Sequence, residues 1–211
     1  MSIPKILHFC WFGDREPPEL AHACLASWEA VMPDYEIRRW GNEQLPAVPY
    51  VQTALANRKF ANVSDYMRFH ILRQHGGIYL DTDVEVLKPF DALLDESMFA
   101  GWQQNRQINN AVMGAVPGHP IPTLAVNELE RRFKGSERET LAGPFFLTEL
   151  LFSKRGFSLN EYDTLTQHDD VTVHPTRIFY PYWHTWKFDA EQHVKPDTLC
   201  IHHWAATWKL K

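Results

Sequence analysis

The sequence predicts an α/β fold with a mixed, mostly parallel sheet, in a single domain spanning residues 1–211, and three features predict it. The chain opens with a strand–helix–strand run, a later helix is closed by a glycine pair and feeds a short apolar strand, and the apolar content suffices for one sizeable core.

Taken in order, Lys5 to Phe12 is an apolar run ended by Gly13-Asp14, a buried first strand and its turn. Pro17-Pro18-Glu19 opens a helix that carries Leu20, Ala23, Cys24 and Trp28 and stops near Pro33. Tyr35 to Trp40 alternates as a second strand, for which parallel pairing and a right-handed crossover are expected. Ala61 to His75 is the next helix, with Gly76-Gly77 as its left-handed cap. Ile78-Tyr79-Leu80 then runs into Asp81-Thr82-Asp83, and Val84-Glu85-Val86 resumes the extended pattern. Further strands are expected at Met98–Trp102, Asn110–Val116, Val171–Val173, Ile178–Tyr180 and Leu199–Trp204, and helices at Pro120–Phe133 and Pro144–Phe152. The polar stretch Gly135–Thr140 is the candidate mobile loop.

Composition narrows the function. With 211 residues, 45% of them hydrophobic, the chain suits one globular domain. Lys plus Arg is 21 against 26 Asp plus Glu, a net charge of −5 with no basic run, which argues against a nucleic-acid partner. The amino terminus lacks the apolar region of a signal peptide, and no stretch approaches the ~20 apolar residues of a transmembrane helix. Cys10, Cys24 and Cys200 are odd in number and far apart, which fits reduced thiols rather than a disulfide framework. A cytoplasmic protein is expected. Phosphate-loop, dinucleotide and Gly-x-Ser-x-Gly signatures are all missing from the sequence.

Three constellations could carry chemistry. Asp81 and Asp83, two residues apart at the end of a buried strand, fall where open α/β sheets bind ligands. Their hard oxygens suit Mg²⁺ or Mn²⁺, and a cation between them would relieve their repulsion. A polar turn that only solvates two aspartates reads the same way. Ser64, Asp65 and Arg68 lie within about 100° of one another on a helix, with Val63, Met67, His70 and Ile71 on the other side. For an isolated helix this would be an exposed i, i+3 pair worth a few tenths of a kcal/mol. At the carboxyl end, His202, Thr207, Trp208 and Lys209 could complete a metal–diphosphate cage, and of the adjacent His202 and His203 only one can face a given site. Trp11, ending the first strand, could stack on a base or serve as a core indole.

The ordered set Ile3–Gly13, Phe60–Arg68, Gly76–Asp83, Asn110–Ala115, Gly118-His119-Pro120 and His202-His203-Trp204 resembles a DxD-containing glycosyltransferase family. That family includes capsular-polysaccharide enzymes and fungal initiating mannosyltransferases, and is distantly similar to lactosylceramide galactosyltransferases and clostridial glucosylating toxin domains. The resemblance implies a Rossmann-like GT-A domain binding a nucleotide-sugar and Mn²⁺ or Mg²⁺. It implies Asp83 as direct metal ligand, Asp81 at the ribose and metal-bound water, and Asp65 and Arg68 at the donor sugar, so that Asp65, Arg68, Asp81 and Asp83 form the catalytic set. Trp11 would meet the base, Ser64 the nucleotide, Trp208 and Lys209 the diphosphate, and His202 (favoured over His203) or Thr207 the metal. The family's usual Gly-Ser-Trp reads Ala206-Thr207-Trp208 here.

The activity so implied is retaining transfer of a hexose from a nucleotide-sugar to a saccharide or lipid-linked saccharide acceptor, in surface or capsular polysaccharide synthesis. UDP-hexose is the favoured donor, with GDP-mannose open, as is peripheral contact with the inner face of the membrane. A nucleotide-sugar hydrolase, or a non-catalytic nucleotide- or sugar-binding module, would use the same pocket.

Overall fold

Five of the seven strands of the main sheet point the same way, and their shared carboxyl edge is where the polar residues of the sequence gather. The computed structural model describes residues 1–138 and 141–206. The sheet has the order β2-β1-β3-β6-β5-β8-β7. Its strands are β1 (Ile6–Cys10), β2 (Glu36–Trp40), β3 (Gly77–Leu80), β5 (Met98–Gln103), β6 (Gln107–Ala115), β7 (Thr166–His168) and β8 (Val171–His174). β1 pairs in parallel with β2 and β3, and β5 with β8, whereas β6 and β7 run against their neighbours. A second, two-stranded sheet joins β4 (Val84–Val86) to β9 (Cys200–His202).

Strand alternation sends Leu7 and Phe9 into one core layer and His8 and Cys10 toward the opposite face. On the first side, α1 (Glu19–Val31) buries Trp28 completely against Phe9. The Trp28 indole N–H donates to the Val84 carbonyl at 2.7 Å, and the Ser27 hydroxyl accepts from the Val86 N–H at 2.9 Å. α1 thereby clamps β4, the strand that follows the acidic pair. On the other side α3 (Phe60–His75) packs Val63, Met67 and Ile71 without exposure, as its sequence face predicts. The helix ends at Gly76, and Gly77 at φ +88° starts β3. A Cβ on Gly77 would sit 2.7 Å from the Ile6 carbonyl, so only glycine lets β3 enter beside β1.

Several elements differ from the sequence reading. The expected strand Ile178–Tyr180 is part of a short helix, α6 (Thr176–Phe179). Pro175 starts it, and Phe179 and Tyr180 are buried without the alternation of a strand. β6 begins at Gln107 rather than Asn110, because polar residues 107 and 109 continue the ladder with β5. Helix α2 (Pro49–Ala56), two turns long, and β7, three residues, are too short for a period to announce them. Helices α4 (Pro120–Arg132), α5 (Pro144–Arg155) and α7 (Ala190–His193) complete the described fold. In the stretch expected to be a mobile loop, Glu137 accepts from the Lys134 and Gly135 N–H groups, and Asn62 donates to the Gly135 and Glu137 carbonyls. Glu139 and Thr140 of that stretch lie outside the described residues. Among the described residues, no helix is long and apolar enough to cross a membrane.

Candidate active site

β3 ends at Leu80, and the chain turns at once: the Asp81 N–H bonds the Ala111 carbonyl at 2.9 Å and the Val84 N–H bonds the Asp81 carbonyl at 3.1 Å. This turn presents Asp81 and Asp83 into a cleft of about 1210 Å³ at the carboxyl edge of the sheet. β9 pairs Val84 with His202, which places that imidazole beside the turn. One ligand atom each from Asp81, Asp83 and His202 lies within 4.8 Å of the others.

His202 Nε2 sits 3.3 Å from Asp83 Oδ1. The Ala205 N–H donates to Asp83 Oδ2 at 2.7 Å. Burial would raise the Asp83 carboxyl, but the His202 imidazole and the Ala205 N–H outweigh it and hold its pKa near 2. Burial raises Asp81 instead; the Arg68 charge opposes this and Asp83 adds to it. His203 takes the other side of the strand and bonds Glu85 at 2.8 Å, so His202 alone of the pair faces the acids.

Arg68, 5% exposed, is the hub of the cleft floor. Its guanidinium lies 3.2 Å from both Asp65 Oδ1 and Asp81 Oδ1, and donates at 2.6 Å to the Asn110 carbonyl. Asn110 Nδ2 donates to Asp65 at 3.1 Å, and the Tyr79 hydroxyl to Asp81 at 3.1 Å. Asp65 is 6% exposed, so the pair is buried within a network and is far from the weak surface contact that an isolated helix would give. Ser64 and Trp11 also line the cleft; the Trp11 indole N–H donates to the Arg15 carbonyl at 2.6 Å, which fixes the ring.

The cleft therefore brings together Trp11, Ser64, Asp65, Arg68, Asp81, Asp83 and His202. Thr207, Trp208 and Lys209 lie outside the described residues. Ala206, where the resembling family carries glycine, adopts φ +47°, and Trp204 adopts φ +57°. Sequence reasoning assigned no role to Asn110 or Tyr79, although both fall in segments it singled out, nor to Gln103, Asn105, Gln107, Asn109, Trp183 and His184, which line the cleft apart from any motif. The amides of residues 103–110 follow no strand period in the sequence, because the 104–106 loop interrupts them and Gln104 and Asn110 break the alternation.

Two carboxylates and an imidazole form a donor set that Mn²⁺ or Mg²⁺ accepts. The residues fit such an ion: one His202 nitrogen faces Asp83, and the other, Nδ1, is buried with no hydrogen-bond partner among the described residues. A cation here would neutralise two like charges, Asp83 buried and Asp81 partly so, and leave an anionic group free to approach.

Residues 18–100 match the family model described as a glycosyltransferase sugar-binding region containing a DXD motif. The chain is 33% identical over 137 residues to inositol phosphoceramide mannosyltransferase 3 of Schizosaccharomyces pombe, covering 62% of this chain and 38% of that protein. It is 29% identical over 162 residues to lactosylceramide 4-alpha-galactosyltransferase of Mus musculus, covering 76% and 39%. It thus spans less than half the length of these two relatives. Among solved structures, the PaToxG glycosyltransferase superposes with a TM-score of 0.59 at 21% identity over 72% of this chain and 69% of that one, a likeness of fold. With the acidic pair of residues 81–83 at the edge of that GT-A fold, residues 18–100 are similar to the DXD-containing glycosyltransferase sugar-binding region.

Proposed function

We propose that this protein is a metal-dependent, retaining glycosyltransferase that moves a hexose from a nucleotide-sugar to a saccharide or lipid-linked saccharide acceptor. The observation that carries the reading is the meeting of Asp81, Asp83 and His202 within 4.8 Å, with Arg68 and Asp65 alongside. Mn²⁺ or Mg²⁺ held by those three residues would supply Lewis-acid neutralisation of the departing diphosphate. The chain's own groups do the remainder. Trp11 offers a face to the base, Asp65 accepts from donor-sugar hydroxyls, and Arg68 fixes both Asp65 and Asp81 in place. A cation held on this preset frame would stabilise the developing anion without reorganisation when it forms. No side chain is assigned as covalent nucleophile: the acceptor hydroxyl attacks from the face the diphosphate leaves, and a departing phosphate oxygen takes its proton. A glycosyl adduct trapped on Asp65 would overturn that part.

UDP-hexose is the first donor to test. GDP-mannose is the second, because mannosyltransferases are among the named relatives. Surface polysaccharide synthesis in the cytoplasm, at the membrane's inner face, is the setting we infer, and the three buried free thiols suit a reducing compartment. A thermal-shift panel of nucleotide-sugars with and without Mn²⁺, followed by product analysis, tests the reading. Metal and true donor should raise the melting point together and give a glycosylated product. Free hexose as the sole product with every acceptor would make it a hydrolase; nucleotide binding indifferent to metal would make it a binding module.

A further inference from the structure

The β5–β6 hairpin carries a feature that the donor-binding residues leave unused. Its three-residue loop, 104–106, closes with Arg106 in the left-handed region and pairs Gln103 directly with Gln107. Strand alternation then sorts the hairpin into two faces. Trp102 and Ile108 enter the core, whereas Gln103, Gln107 and Asn109 share the face that borders the cleft, and Asn105 joins them from the loop. Leu80, the last residue of β3, pairs with Val112, so this end of the hairpin overhangs the strand that delivers Asp81.

The four carboxamides form one ladder. Gln103 Nε2 donates to Asn105 Oδ1 at 2.6 Å and to Gln107 Oε1 at 3.0 Å; Asn105 Nδ2 donates to Gln107 Oε1 at 2.9 Å; Asn109 Nδ2 donates to Gln103 Oε1. Gln103 and Asn109 are 3% and 2% exposed, so the inner half is locked while Asn105 and Gln107 reach outward. Gln107 Nε2 makes no hydrogen bond to any described residue. Gln104 Nε2, in the loop, donates to the Tyr180 carbonyl and ties the hairpin to the segment that carries Trp183 and His184. Those two rings lie 4.3 Å apart between centroids and tilted by 35°, and Trp183 lies 4.8 Å from Trp204, whose indole N–H is fixed on the Tyr182 carbonyl at 3.0 Å. Trp183 and His184 line the same cleft.

We propose that this wall, amides Asn105 and Gln107 with the rings of Trp183 and His184, is the acceptor subsite, and that its ligand is a neutral hexopyranoside ring. The inference rests on the glycosyltransferase reading and adds the acceptor's chemistry to it. A sugar ring offers hydroxyls on its rim and a patch of C–H bonds on its face. Carboxamides answer the hydroxyls because each both donates and accepts, and an immobilised ladder does so with little ordering cost. Aromatic faces answer the C–H patch. An anionic carrier needs positive charge instead, which a divalent cation on Asp81, Asp83 and His202 would supply at the cleft floor.

The test uses the full chain with Mn²⁺ and the donor from the thermal-shift panel, and methyl and octyl α- and β-glycosides of glucose, galactose and mannose as acceptors. Gln107→Ala and Trp183→Ala should each raise the acceptor KM about tenfold. Their donor KM, and their donor hydrolysis without acceptor, should stay within about twofold of wild type, and Trp183→Phe should recover most of the acceptor affinity. Saturation-transfer NMR on the glycosides gives a readout independent of turnover, with melting temperatures as the folding control. Parallel loss of donor hydrolysis and transfer would overturn the proposal, since the wall would then read the donor's hexose. So would unchanged acceptor KM, or a wild-type protein that binds nucleotide and Mn²⁺ yet neither glycosylates nor contacts any glycoside. Failure of the underlying reading shows separately, as a wild-type protein indifferent to nucleotide and metal.

Discussion

The middle and the carboxyl-terminal end of α3 adjoin polar groups buried about equally well and by opposite means. Toward the middle, Asp65 and Arg68 are held by each other, by Asp81 and by Asn110, and they open onto the cleft. At the carboxyl-terminal end the imidazole of His8 is fully buried and neutral. Its Nε2 is 2.9 Å from the Gly76 carbonyl, and its Nδ1 accepts from the Trp40 indole at 3.2 Å. Positive φ falls only on glycine at the far end, Gly76 and Gly77, whereas the cleft also places it on Trp204 and Ala206 besides Gly13. The far end is arranged for stability alone. The site side retains charge and backbone strain that a purely structural solution would have removed.

The strongest way to break this contrast is to remove the charge that the site side keeps. Asp83→Asn preserves shape and leaves an oxygen for the Ala205 N–H, but it takes one carboxylate from the donor set. The Mn²⁺-dependent nucleotide shift should vanish and transfer should fall by about three orders of magnitude. A variant that keeps its metal-dependent shift would show that the acidic turn is only a solvated bend. Next in size is Arg68→Met. It leaves Asp65, Asp81 and the Asn110 carbonyl without their shared cation, and stability should fall by about 3 kcal/mol or more in urea titration. A drop below about 1 kcal/mol would mean that water replaces the guanidinium and that the floor is not a closed network.

How much of this was legible beforehand follows the same division. The acidic pair, the Asp65–Arg68 face and the glycine cap each announce themselves within a few residues, because turn chemistry and helical period are local. The choice between His202 and His203 was not local: it depends on β9 pairing with β4, more than a hundred residues away in sequence. The amide wall was hidden for a related reason. Gln103 and Gln107 acquire a common face only once the hairpin register is set, and a polar stretch without apolar alternation reads as loop. Ile178–Tyr180 misled in the other direction: three apolar residues suit a strand, but Pro175 and burial on every side made a helical turn.

The far end of α3 has its own test, in acid. Burial pushes the His8 pKa down to about 4 from 6.5, against the pull of the Gly76 carbonyl. At pH 7 the ring is neutral in both states. As pH falls through 6.5 the unfolded chain binds a proton that the folded chain refuses, so stability declines until about pH 4, where the folded ring is protonated too. Between pH 7 and 5 the loss attributable to His8 should be about 2 kcal/mol. His8→Gln, which cannot titrate, should be less stable at pH 7 yet lose that part of the acid slope. An unchanged slope would place the proton uptake elsewhere.

The smallest effect sharpens the contrast in backbone strain. An L-residue in the left-handed region costs about 1–2 kcal/mol, and Ala206 sits there at φ +47° where the resembling family has glycine. Glycine would relieve that strain while adding about 0.5–1 kcal/mol of unfolded-state entropy. Ala206→Gly should therefore stabilise the protein by less than about 1 kcal/mol, seen as a melting point higher by roughly 1–3 °C. The same change at Gly77 in reverse, Gly77→Ala, meets both the left-handed φ and the Ile6 carbonyl at 2.7 Å, and should destabilise severalfold more. If Ala206→Gly also loosens the segment after His202, nucleotide affinity in Mn²⁺ should weaken about twofold although the protein melts later. Stability and binding would then move in opposite directions at one residue, as expected where the strain belongs to the site rather than to the fold.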